Sequence, residues 1–312
     1  MSCQSKKPVL ATLIATLALL GGLGCARPSA YKAPVIKFRD ASVVIIELTK
    51  TYLTELNKVE RDQYIYTHAS VPQQIKLNEL EREQVFSRDA IATRLQALDQ
   101  ISRYTELLYR LATSDSPDSL KSDASDLEAS VTQLSTQIAG LTGADDTRFQ
   151  SAAGKALPII GEVLKAFAEQ SAQTALKKAI AAGADPVNQL LDAIESDTTL
   201  AYERRRTTYS GARVIVIDQY NREFQRGARA DPEKLKAFAD AISSQEDRWE
   251  AFLTARPTAG LEAMKNANSA LVDFARKPKP SIHDVTTLSD AMDSFATTAA
   301  HLGDVAKELK TK

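Results

Sequence analysis

His68, His283 and His301 are the first residues to question for chemistry, because imidazole serves both metal ligation and proton transfer. His283 and His301 lie 18 residues apart. On one helix that is five turns, which gives the same face but about 27 Å of separation. One metal cannot bridge them. Carboxylate-bridged di-metal bundles need a glutamate three residues before each histidine, and those positions hold Ile65, Pro280 and Thr298. His301 and Asp304 form an i, i+3 pair suited to a surface hydrogen bond. The chain contains no H-E-x-x-H, G-x-x-x-x-G-K-[ST], G-x-S-x-G or G-x-G-x-x-G pattern. The two cysteines, Cys3 and Cys25, sit close to the N-terminus, so everything after Cys25 lacks a thiol nucleophile and a disulfide. The expectation is a chain without catalytic set, metal or cofactor.

The arginines offer binding chemistry. Arg204, Arg205 and Arg206 point in three directions around a helix and make no single patch. Arg222, Arg226 and Arg229 are spaced i, i+4, i+7 and would share one face, a contact for phosphate headgroups or an acidic partner. Their plainer role is to sit in the last turns of a helix, where cations suit the negative end of the dipole. Tyr202, Tyr209, Tyr220 and Phe224 on the same stretch would line a cleft or form the rim of a core. The formal net charge is -1 and the pI about 6.4, so no basic field points to nucleic acid.

The first 34 residues bear on where the protein is expected to reside. Lys6 and Lys7 make a positive n-region. Val9–Leu20 is an uninterrupted run of Ala, Thr and aliphatic residues, the length of a signal-peptide h-region and short for a membrane span. Leu20-Gly21-Gly22-Leu23-Gly24-Cys25 follows. This resembles the signal of bacterial lipoproteins, in which a small residue precedes a cysteine that is lipidated and becomes the new N-terminus. Gly24 fits that pattern, while Gly22 stands where the family usually carries Leu. The resemblance covers residues 1–25 and implies cleavage after residue 24, lipidation at Cys25 and palmitate on the anchor. Ala26 after the cysteine implies the outer membrane of a Gram-negative host. An ordinary secretory signal cleaved near Ala26 or Ala30 is the other reading. Cleavage after residue 24 removes two lysines and no acid, which takes the net charge to -3. Two or three acyl chains hold a domain stably where one gives only reversible binding. Residues 25–36 then read as the lipidated cysteine and a polar, Pro-bounded tether.

Beyond the tether one period dominates. Phe38, Ala41, Ile45, Leu48, Tyr52, Leu56 and Val59 step by three and four, as do Val285, Leu288, Met292, Phe295, Ala299 and Leu302. Leu235, Phe238, Ile242, Gln245, Trp249 and Phe252 repeat the spacing. Val214–Ile217 is the single strand-like run; helical spacing on both sides makes it a buried helix. Twelve glycines and 11 prolines are too few for an all-β fold. Ser116-Pro117, Asp185-Pro186, Asp231-Pro232 and the Ser281/Asp284 pair mark helix starts, while Pro158 and Pro257 fall inside periodic runs and should kink or break them. The spacing predicts helices over 37–69, 72–113, 117–142, 146–183, 186–229, 232–256, 258–276 and 281–310. Thr105, Thr174, Thr198, Asn268 and Gln245 would be polar layers or seam-edge residues.

The reading is therefore an all-α, elongated antiparallel bundle of about seven to eight helices, several long and coiled-coil-like, over residues 37–312, with a junction near 139–147. Its function is expected to be protein binding or scaffolding in the cell envelope, through an unidentified envelope protein or self-association, with the lipid bilayer as a second partner through Cys25. One alternative is a membrane-active component: residues 152–183 have a texture similar to α-helical pore-forming toxins, but six charges interrupt it. The other is a small-ligand-binding periplasmic module, which would need an apolar cavity.

Overall fold

The computed structural model describes residues 29–70, 74–82, 84–113, 129–130, 132–141, 147, 149–151, 153–154, 172–254 and 256–311. Among them are seven α-helices, a single 3-10 turn and no strand. They are α1 (Ser29–Ser70), α2 (Leu77–Arg82), α3 (Arg88–Thr113), α4 (Ala172–Phe224), α5 (Pro232–Thr254), α6 (Pro257–Arg276) and α7 (Ile282–Thr311). Residues 132–139 add further helix. The fold is all-α, and the helices pack together as a bundle.

The bundle body is α1, α3, the first half of α4, α6 and α7, with α1 touching each of the others. One core joins them. Phe38, Ile45 and Leu53 of α1 meet Leu98, Ile101 and Leu108 of α3, Ile180, Leu190 and Ile194 of α4, Leu261 and Leu271 of α6, and Met292 and Phe295 of α7. Leu134, Ile138 and Phe149 belong to the same core, so the 139–141 turn runs along it. Asn268 is a polar layer within it: its side-chain amide donates to Asn188 Oδ1 at 3.0 Å and joins α6 to α4. Thr105 and Thr198 instead return their hydroxyls to Ser102 and Ile194 carbonyls of their own helices.

Four expectations change. Residues 29–36 are not a tether but the first two turns of α1; Tyr31 and Val35 are fully buried, and the Tyr31 ring stands edge-on to Phe274 at 5.0 Å. The Tyr31, Val35, Phe38 spacing extends the apolar seam backwards, and Pro34 sits within the helix because that burial outweighs one lost backbone hydrogen bond. The expected single helix over 72–113 is broken before α3. Asn57 takes the Val85 amide on its Oδ1 at 3.1 Å and donates from Nδ2 to the Phe86 carbonyl at 2.7 Å, and Ser87 Oγ caps the Ala90 amide. Pro186 starts no helix. It lies inside α4, whose 53 residues run through it, with Val187, Leu190 and Leu191 buried behind it. Val214–Ile217 is helical but not buried: Val214 is 54% exposed and only Val216 is enclosed. The toxin-like stretch lies mostly outside the described residues, as do Pro117, Pro158 and the body of the 139–147 junction.

Three helix ends follow their sequence signals. Asp231 Oδ1 accepts the Glu233 amide at 3.0 Å at the start of α5, and Pro257 opens α6 at its first position. Ser281 and Asp284 form a reciprocal capping box: the Ser281 amide donates to Asp284 Oδ2 at 2.7 Å and the Asp284 amide to Ser281 Oγ at 3.2 Å.

Candidate functional groove

Half of α4 leaves the body. After Tyr202 its enclosed residues thin to Arg205, Ala212, Val216 and Glu223, and α5 returns along it with only Phe252 buried. The two helices form a hairpin arm in which α5 packs chiefly on α4 and only lightly on α7. Between the arm, α1 and the end of α7 lies an open groove of about 1280 Å³.

The groove floor is aromatic. Phe252 stacks on Tyr202 at 4.7 Å and packs against Tyr209 at 5.0 Å and Trp249 at 6.0 Å. These rings seal the base of the arm against Tyr52 and Leu56 of α1. Arg205 is the enclosed cation of the site. Its guanidinium lies over the Tyr52 ring at 4.6 Å with a side chain 7% exposed. Its Nε is enclosed and makes no hydrogen bond among the described residues, and Glu55 Oε2 lies 3.7 Å from Nη2. Burial pushes the Tyr52 phenol well above its usual value, with the Arg205 charge opposing that shift, so the phenol stays protonated.

The walls carry mixed charge: Glu47, Glu55 and Lys58 on α1, Asp240, Asp247 and Arg248 on α5, and Lys307 on α7. Arg213 braces the arm by a bidentate bond to Glu246, both contacts 2.7 Å, while its guanidinium covers Trp249 at 4.9 Å. Small polar side chains, Thr208, Ser243 and Ser244, lie between these charges. At about 1280 Å³ the groove exceeds the ~300–1,000 Å³ usual for small-molecule pockets. Its lining combines aromatic rings, one enclosed arginine and a charged rim.

The sequence-derived arginine face does not form. Gly227, at φ 58°, takes the left-handed conformation, so α4 ends at Phe224 and Arg226 and Arg229 fall outside it. Arg222 Nε returns to the Asp218 carbonyl at 3.3 Å, and Arg226 Nη1 holds both Glu223 oxygens at 3.1 and 3.0 Å. Glu223 also accepts the Asp231 amide at 2.8 Å; that amide and Arg226 hold its carboxyl below the usual range. These arginines build the turn at the arm tip, away from the groove. The tyrosine set divides likewise: Tyr209 lines the groove, Tyr202 is buried behind it on Phe252, and Tyr220 stacks on Phe224 at the tip.

Arg205 was legible only as one of three arginines pointing apart, and the structure keeps that divergence: Arg205 is enclosed, while Arg204 and Arg206 are exposed and Arg206 pairs with Glu203. Its enclosure depends on Tyr52 and Glu55 of α1, partners distant in sequence that no local pattern announces. Among the described residues no group of three His, Cys, Asp or Glu could hold a metal, and no helix is long and apolar enough to cross a membrane. His68 Nδ1 bonds the Tyr64 carbonyl at 2.9 Å, and His283 and His301 are exposed on α7. Cys25 lies outside the described residues. Compared with protein-family models, curated proteins and solved structures, the chain matches none.

Proposed function

We propose that this chain is a cell-envelope lipoprotein, held through Cys25 to the outer membrane of a Gram-negative bacterium, that works by binding another protein rather than by turnover. The observation that carries the binding half is the groove between arm and body, with Tyr52, Tyr209 and Phe252 lining it and Arg205 enclosed over Tyr52. A helical segment about 10 Å across is the natural occupant of an open groove between helices. The signal-like residues 1–25 support the anchoring half. Scaffolding follows from the same parts, since a long rigid arm fixed near a membrane presents a surface at a set distance.

The test is retention of a specific envelope protein by the domain starting at Arg27, compared with Ser244→Trp and Ala251→Trp variants that fill the groove. Retention by wild type and its loss in both fillers supports the reading. Equal retention by all three removes the groove from it, and dye release from liposomes with no retained protein would favour the membrane-active alternative.

A further inference from the structure

We infer that the tip joining α6 to α7, residues 276–285, is a membrane-contacting surface that rests on anionic lipid headgroups beside the anchor. The inference rests on the lipidation of Cys25 proposed above. Four residue steps separate Cys25 from Ser29, where α1 begins, so the anchor lies within about 14 Å of the helix start. Because residues 29–36 belong to the bundle, that short span is all that stands between bundle and bilayer.

The tip is at this end of the molecule. α6 runs antiparallel to α1, with Phe274 near its end against Tyr31 near the α1 start. α7 runs parallel to α1: Lys37 pairs with Asp293, Phe38 packs on Phe295 at 5.9 Å, and Gly303 lies against Val44. Ile282 is eleven residues before Asp293, whereas Ser29 is eight before Lys37. At 1.5 Å per residue the α7 start therefore projects about 4 Å beyond the start of α1, toward the anchor.

The chemistry of the tip suits that position. Residues 276–285 carry Arg276, Lys277 and Lys279 against a single carboxylate, Asp284, which Lys277 already occupies. Arg276 and Lys279 are exposed and make no ion pair among the described residues, and Lys32 on the first turn of α1 adds a third such cation. Ile282, the first residue of α7, is 87% exposed. An exposed isoleucine alone is ordinary. Flanked by free cations and brought within reach of acyl chains, it forms an interfacial contact of basic rim and apolar point. The contact would hold the bundle end-on, so that the groove faces a fixed direction.

The lone cysteine after residue 24 allows a direct test. Its thiol is coupled to a maleimide-headgroup lipid in vesicles, which reproduces the anchor whether or not cells acylate it. Tryptophan is introduced by Ile282→Trp, with Trp249 of the unaltered chain as baseline, and quenching by acyl-brominated lipid is measured. Quenching at 282 well above baseline in phosphatidylglycerol vesicles is expected. It should be lost in phosphatidylcholine vesicles and on Lys32→Glu/Arg276→Glu/Lys279→Glu, each basic residue removed weakening the contact roughly fivefold. Circular dichroism establishes that the charge variant remains helical. Quenching no greater than baseline, or equal in both lipids, overturns the proposal. Palmitate labelling of Cys25 in cells separates the two readings: label without quenching overturns this contact alone, and absence of label overturns the anchor on which it stands.

Discussion

Arg94 and Asp197 form an ion pair inside the bundle, with Nε donating to Oδ2 at 2.7 Å between α3 and α4. The Arg94 side chain is wholly enclosed, its guanidinium between the Phe86 ring at 4.0 Å and the Phe149 ring at 4.9 Å, and Nη1 also donates to the Ala90 carbonyl. This contact fixes the register of α4 just before that helix leaves the body, and so sets where the arm begins. Removing one partner leaves a charge stranded. Asp197→Ala should cost about 3–5 kcal/mol, whereas Arg94→Met with Asp197→Leu should cost clearly less. Urea denaturation of the three proteins checks this; equal losses in single and double variants would show that the pair contributes packing rather than charge.

Gly183 and Gly260 separate a rigid contact from a soft one. A Cβ at Gly183 would lie 2.6 Å from Tyr104 Cε2 and 2.8 Å from its hydroxyl, and the Tyr104 ring is enclosed. At Gly260 the nearest atoms are Ile45 Cδ1 at 2.6 Å and Leu302 Cδ1 at 3.0 Å, both ends of flexible side chains. Gly183→Ala should therefore destabilise by about 1–3 kcal/mol, and Gly260→Ala by less than about 1 kcal/mol because helix propensity offsets the strain. Thermal denaturation ranks them; the reverse order would refute the close approach of α4 to Tyr104.

Tyr31 tests the reassignment of the tether. Burial pushes its phenol to about 12, as expected for a ring inside a core and not on a solvated linker. Tyr31→Ala should cost roughly 3–5 kcal/mol, and a chain begun at Lys37 should melt well below one begun at Arg27. Equal melting temperatures would restore residues 29–36 to a tether.

Asp284 makes the capping box pH-dependent. Lys277, then the Ser281 amide and hydroxyl, hold its folded carboxyl far below the ordinary 3.8. A depressed folded pKa means that the stabilisation is complete above the unfolded value and is lost as pH falls below it toward the folded one. Wild type should thus exceed Asp284→Asn in urea midpoint at pH 7, and the gap should narrow by pH 3. A gap that widens on acidification would contradict the assigned partners.

The helices were legible because the three-four apolar period reports directly which faces are buried, as the Phe38–Leu56 seam and the Met292–Leu302 seam do. Capping at Asp231 and Ser281 was legible for the same local reason. What the pattern misjudged depended on distant partners. Tyr31 is ordered by Phe274, and the break before α3 by Asn57, 28 residues before Val85. Pro186 looked like a start because a proline weighs heavily in a local window, whereas the enclosure of Leu190 and Leu191 carries the helix through it. Of the groove only Tyr209 was legible, as one of four aromatic residues expected to line a cleft or a core rim. Arg205 and Tyr52 meet only through tertiary packing, and the mixed charges around them carry no spacing that a linear scan would notice.

A protein received in the groove between arm and body would be captured there by site-specific photo-crosslinking in cells. A photoreactive phenylalanine analogue is placed at Ser244 or Thr208 in the groove, and at Asn266, exposed on α6, as control. One discrete protein adduct is expected from both groove positions, abolished by Arg205→Glu in a chain that remains folded, and none from Asn266. No adduct from either groove position, or the same adducts from Asn266, would contradict protein binding in the groove.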